Sequence, residues 1–173
     1  MSRYHFAERP ASMGPSGTGI LLTLVAAAVG TWLYLRPPSR VGGQSLQKYS
    51  GFESNLESII PKNCAPPGCA AIYVRPTDGK KATDALAGAT ALATELSGQG
   101  VECYVILGGE PITEAVKRAR SMRRSVLFDP TGDWAKETGI EKAPYWIAWR
   151  TGGKIVLRSE EPVAAGDVAS ALR

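Results

Sequence analysis

The chain has 173 residues, 44% hydrophobic and 21% charged, with a formal net charge of +4. That composition suits one folded domain plus an appendage and excludes wholesale disorder. So mild a charge, without a helix-turn-helix, zinc-finger spacing or RNA-binding aromatic motif, permits contact with anionic lipid or an acidic partner and gives no reason to expect nucleic acid.

The single histidine, His5, lies in a Pro-, Ser- and Gly-rich stretch, residues 1–16, that reads as an ill-ordered tail. A domain without histidine cannot build a Ser-His-Asp or Cys-His centre and lacks the commonest transition-metal ligand, so no metal or cofactor is expected. Residues 17–35, GTGILLTLVAAAVGTWLYL, carry no charge. A helix of this length nearly crosses a hydrocarbon core of ~30 Å. Trp32 and Tyr34 suit the headgroup region, and Arg36-Pro37-Pro38 stops the helix. A cleaved signal peptide is the competing reading, because Ala26–Ala28 offer small residues; the apolar run beyond them fits a retained anchor better. Arg3 and Arg9 before the segment, against Arg36, Arg40 and Lys48 after it, give no decisive orientation and lean towards a cytoplasmic C-terminus.

Residues 36–51 read as a linker. In Phe52–Ile60, Phe52, Leu56, Ile59 and Ile60 recur at helical spacing, which predicts a short amphipathic helix. Cys64-Ala-Pro-Pro-Gly-Cys69 is a loop able to reach disulfide geometry through a turn. Then strands and helices alternate. Ala70–Val74 is an apolar strand, Thr83–Leu96 an alanine-rich helix ended by Gly98 and Gly100, and Val101–Leu107 a buried strand. Pro111–Met122 is a second helix, Val126–Phe128 a strand and Trp134–Thr138 a short helix closed by Gly139. Tyr145–Trp149 and Lys154–Arg158 form a hairpin, and Val163–Leu172 a closing helix. Strands separated by such helices imply a sheet covered on both faces.

The run from Val126 to Leu157, with Asp129, Gly132, Ala135, Gly139-Ile140, Pro144 and Gly152-Gly153, resembles the C-terminal half of the thioredoxin-like fold. The likeness is to membrane-anchored thiol-disulfide proteins and peroxiredoxins, and extends over Ala70–Arg173. It implies an α/β fold, a mixed central sheet flanked by helices, over residues 52–173. It makes Pro144 the family's cis-proline, with Ala143-Pro144 beside a groove that in active members holds extended substrate; with no cysteines opposite, Pro144 reads first as shaping the entry to its strand and second as a place for a peptide to dock. It places the redox loop at Arg75, Pro76, Thr77, Asp78 and Gly79, ahead of the helix whose N-terminus would activate a thiolate. That loop contains no cysteine. The anchored relatives hold their domain outside the cytoplasm, which, with a disulfide-capable Cys64 and Cys69, favours an N-terminus inside and a periplasmic domain.

The remaining candidates are weighed by residue type. Cys64 and Cys69 read as a loop staple first, then as unpaired thiols, then as redox-active or metal-binding. Cys103 reads as a small buried hydrophobe. Lys117, Arg118, Arg120, Arg123 and Arg124 form the densest charge cluster, either a solvated helix end or a docking patch for headgroups or an acidic subunit. Tyr145 and Trp149 fall on one face of their strand and Trp146 on the other, so one face needs a helix or a partner to cover it. Asp129-Pro-Thr-Gly-Asp133 has too few carboxylates for a calcium loop, and Gly108-Gly109-Glu110-Pro111 lacks a phosphate-cradle ending.

These readings converge on a single-pass membrane protein whose thioredoxin-like domain lacks the redox motif. It is expected to be an accessory or scaffold subunit of a larger membrane complex, with membrane and other protein subunits as partners, rather than an enzyme. The alternatives are a membrane-tethered thiol-disulfide oxidoreductase using Cys64 and Cys69, or a chaperone-like domain holding peptide beside Pro144.

Overall fold

The computed structural model describes residues 37–49, 56–122 and 126–173. Seven strands form one sheet, β1 (Leu46–Tyr49), β2 (Leu56–Ile59), β3 (Gly68–Val74), β4 (Glu102–Gly108), β5 (Val126–Asp129), β6 (Tyr145–Arg150) and β7 (Ile155–Ser159), in the order β2-β1-β5-β4-β3-β6-β7. Strands β3, β4 and β5 run parallel, and β1, β2, β6 and β7 pair antiparallel. Four α-helices accompany them among the described residues: α1 (Lys80–Ser97), α2 (Ile112–Ser121), α3 (Asp133–Thr138) and α4 (Ala165–Leu172).

The central strands are apolar on both faces because both are covered. On one side Ile72, Val74, Val105, Leu107, Phe128, Trp146 and Ala148 pack against α1, α2 and α4. Helix α1 offers Ala82, Ala85, Ala89, Leu92 and Leu96, one stripe at helical spacing, and the small alanines let it lie close to the sheet. On the other side Cys69, Ala71, Tyr73, Tyr104, Ile106, Leu127, Ile147 and Trp149 meet α3 and the segments around Val41 and Cys64.

Two expectations are corrected. Residues 56–59 are a strand, not part of a helix: β2 pairs with β1, Leu56 opposite Tyr49 and Ile59 opposite Leu46. The helical spacing misleads because the free edge of β5 recruits β1, which recruits β2, and ladder hydrogen bonds override local periodicity. The supposed linker is likewise folded in its second half. Leu46 is 2% exposed, Gly42 N–H donates to Thr138 Oγ1 at 2.9 Å, and Gln44 Nε2 donates to Glu137 Oε1 at 2.6 Å, so residues 41–49 belong to the domain. Residues 1–16, the apolar segment 17–35, Phe52, Arg123 and Arg124 lie outside the described residues. No helix among the described residues is long and apolar enough to cross a membrane.

Candidate functional site

Strand β3 delivers the chain to the pole where the resemblance places redox chemistry. Val74 ends the strand, Pro76–Asp78 make one 3-10 turn, Gly79 takes φ 64°, and α1 begins at Lys80. Where thiols would stand there is an ion pair. Arg75 Nε lies 3.7 Å from Asp78 Oδ2, and Arg75 NH2 donates to the Glu141 carbonyl at 2.9 Å. Arg75 therefore ties the loop before α1 to the loop that enters β6. The Ala143-Pro144 bond is cis, and Tyr145 pairs with Tyr73 in the β3–β6 ladder, so Pro144 and the Arg75–Gly79 loop share this pole.

Beside Pro144 runs a cleft of about 420 Å³. Its apolar lining comes from Ala85, Gly88 and Leu92 of α1, from Ala143 and Pro144, and from Val163 before α4, with Trp146 below. Both signs of charge rim it: Lys81 and Lys142 against Asp84, Glu160 and Glu161. An apolar floor with mixed charges at the margin suits an extended polypeptide better than a small anion.

Cys64 and Cys69 are elsewhere. Cys69 pairs with Trp149 in the β3–β6 ladder, and Cys64 caps the 3-10 turn Pro61–Asn63. Tyr145 to Trp149 is a run of β6 about 14 Å long at some 3.4 Å per residue, which separates this pair from Pro144. Both are thiols here and hydrogen-bond each other. Chiefly the Cys69 S–H beside it holds the Cys64 pKa below the usual value against burial and the Glu102 charge, while the Cys64 N–H and Trp149 Nε1 both donate to the Pro61 carbonyl at 3.3 and 2.9 Å. The contact between the two thiols, with burial, pushes Cys69 strongly up. Gly68 allows this packing: a Cβ there would collide with the Trp149 carbonyl.

The other sequence candidates separate. Lys117 pairs with Glu114 at 2.7 Å, and Arg118 forks onto buried Glu110, both bonds at 3.4 Å, so two of the basic side chains serve α2 itself. Arg120 is exposed on the same helix. Trp146 and Trp149 are 5% and 0% exposed, and of the two covers expected for β6, a helix or a partner, the described residues show the first: α1 and α4 lie on one face, and α3 with the Cys64 loop on the other. Tyr145 is half-buried with the second group. Cys103 is half-buried against the helix-covered face. Among the described residues no cluster of three His, Cys, Asp or Glu side chains is placed to hold a metal.

The sequence reading left out Tyr73 and Trp134. Tyr73 is buried under Gly108, where any Cβ would strike its ring, and burial lifts its pKa to about 12. Tyr73, Trp134 and Trp149 form a column with successive ring centroids 6.4 Å apart, spanning the sheet from the Pro144 pole to the Cys64 pole. Asp129, noted only as part of a turn, proves to be an internal cap. Its carboxylate accepts from the Trp134 and Ala135 backbone N–H groups at 3.3 and 3.0 Å, and burial raises its pKa. An Asp shortly ahead of a short helix was a readable signal; nothing in the sequence marked Tyr73.

A parallel β3–β4–β5 core, an antiparallel β6–β7 hairpin entered through a cis-proline, and helices on both faces make this a thioredoxin-like fold. No protein-family model and no curated protein matches the chain. Solved structures do match. One is a Chlorobium tepidum protein assigned as thiol:disulfide interchange protein DsbE, with TM-score 0.59, 14% identity, and coverage of 80% of this chain and 99% of that one. MTB DsbF matches with TM-score 0.58, 11% identity, and coverage of 79% and 97%. Enterococcus faecalis AhpC matches with TM-score 0.60, 10% identity, and coverage of 79% and 89%.

Proposed function

We propose that this domain is a binding module, an accessory or scaffold subunit of a membrane protein complex, which holds an extended partner segment in the cleft beside Pro144 and performs no thiol chemistry there. The observation that carries this reading is the pairing of an open, apolar-floored cleft at Pro144 with an adjacent loop, Arg75–Gly79, that has an Arg75–Asp78 ion pair and no cysteine. The uncharged segment 17–35 would tether it, with the domain on the periplasmic side. Separation of Cys64 and Cys69 from Pro144 weighs against the oxidoreductase alternative, because a catalytic dithiol must reach a substrate seated against the cis-proline.

The test is native purification of the full chain from gently solubilised membranes, beside a Cys64→Ser/Cys69→Ser variant. A defined complex retained by the variant is expected. A chain that purifies alone, and whose disulfide-reducing activity vanishes in the variant, would return the enzyme reading.

A further inference from the structure

We propose that Cys64 and Cys69 are a reversible dithiol–disulfide site at the pole of the sheet opposite Pro144, oxidised by an accessible small-molecule disulfide of the glutathione type, with Cys64 attacking and Cys69 resolving. The proposal is independent of the cleft.

Contact comes first. Both thiols flank one indole: Cys69 stands opposite Trp149 in the β3–β6 ladder, and the Cys64 N–H shares the Pro61 carbonyl with Trp149 Nε1, so the two side chains interact directly. Access is unequal. Cys64 is 8% exposed and sits in a loop where Asn63, Ala65, Pro66 and Pro67 are all exposed; Cys69 is 0% exposed within the β3–β6 ladder. The donors are unequal too. The Cys69 S–H is directed at Cys64, while the Glu102 charge disfavours ionisation of both sulfurs. The more accessible sulfur, which accepts from its neighbour, is the nucleophile, and the fully buried neighbour is the second thiol.

The steps balance. The Cys64 thiolate attacks one sulfur of the disulfide, whose S–S bond breaks, and the departing thiolate takes a proton. Cys64 is then uncharged. The contact that chiefly held the Cys69 proton in place is lost, so Cys69 ionises more easily. Its sulfur attacks Cys64 Sγ and expels the second thiolate, which is protonated in turn. Two protein S–H bonds become one S–S bond, and one small disulfide becomes two thiols.

The bond would fasten the start of β3 to the end of the Pro61–Asn63 turn. That turn already holds the β6–β7 hairpin, since Gly152 N–H donates to the Lys62 carbonyl and Trp149 Nε1 to the Pro61 carbonyl, both at 2.9 Å. The expected consequence is a stiffer pole rather than turnover of a substrate.

The experiment equilibrates the full chain in glutathione/glutathione disulfide mixtures, quenches by alkylation and digests with trypsin. Because Arg75 precedes Pro76, both thiols fall in one peptide, Asn63–Lys80, and Cys103 falls in another. The oxidising mixtures are expected to yield Asn63–Lys80 two hydrogens lighter and unalkylated, with Cys103 still alkylated. Cys69→Ser should accumulate a glutathione adduct on Cys64, and Cys64→Ser almost none on Cys69. Where a variant fails to fold, brief alkylation of the reduced wild type replaces it, with Cys64 labelled at least about tenfold faster than Cys69. Full alkylation of both thiols in every mixture, or equal labelling of the two, overturns the proposal.

Discussion

Cys69 lies opposite Trp149 in the β3–β6 ladder, while Tyr145, directly after Pro144, lies opposite Tyr73 at the far end of the same pairing. One ladder thus holds the dithiol at one pole and the cis-proline at the other. The register alone keeps the two features at opposite ends of one strand pair.

Trp149 and Trp134 should respond differently to loss of the indole N–H. Trp149 Nε1 bonds the Pro61 carbonyl, whereas Trp134 Nε1, also buried, finds no acceptor among the described residues. Trp149→Phe removes that buried hydrogen bond, leaving the carbonyl only the longer Cys64 N–H bond at 3.3 Å, and should cost about 1 kcal/mol. Trp134→Phe removes an unpaired donor, so its smaller loss should reflect ring size alone. Urea unfolding midpoints of the two variants test the order; a more damaging Trp134→Phe contradicts it.

Asp129 should be structural. Removing its carboxylate in Asp129→Ala strips two buried N–H groups of α3 of their acceptor, a loss of about 2 kcal/mol for a helix cap. Because burial raises its pKa, the ionised form is the disfavoured one. Its contribution is therefore greatest below the ordinary value of 3.8 and declines as pH rises through the folded value. Asp129→Asn, neutral throughout and still an acceptor for one N–H, should lose less than the alanine variant. Equal losses would mean that the oxygens do not matter.

Alkaline stability should report Tyr73. Its pKa is raised from 10.0 to about 12, so the fold holds a proton that the unfolded chain releases. That stability is complete below pH 10.0, and is lost as pH climbs towards about 12. Burial raises Tyr104 as well, in the same direction. Unfolding midpoints measured across this range should fall, and fall less steeply in Tyr73→Phe. A variant with an unchanged slope would place the titration elsewhere.

From Ala70 onward, the sequence was enough for the strand and helix succession, because the apolar runs of β3, β4 and β6 and the alanine stripe of α1 coincide with what the fold buries. Residues 46–49 and 56–59 were not legible. Leu-Gln-Lys-Tyr at 46–49 has little to mark it as a strand, and its partner β5 is remote in sequence. At the site, the missing thiols after β3 and the position of Cys64 and Cys69 before it could be read from residue order. The clasp of Arg75 on Glu141 could not, nor the aromatic column, since both depend on which side chains a folded sheet brings together.

The central claim is that the cleft beside Pro144 holds a partner, and two glycines allow it to be tested directly. Gly88 lines the cleft and Gly166 lies in α4; at both, an added Cβ meets nothing within 4 Å, so a side chain can start from either without striking a neighbour. The measurement is the native size of the detergent-extracted assembly for wild type, Gly88→Trp and Gly166→Trp. The account predicts that wild type and Gly166→Trp migrate as the same complex while Gly88→Trp runs as the chain alone. A Gly88→Trp chain that stays in the complex would contradict it.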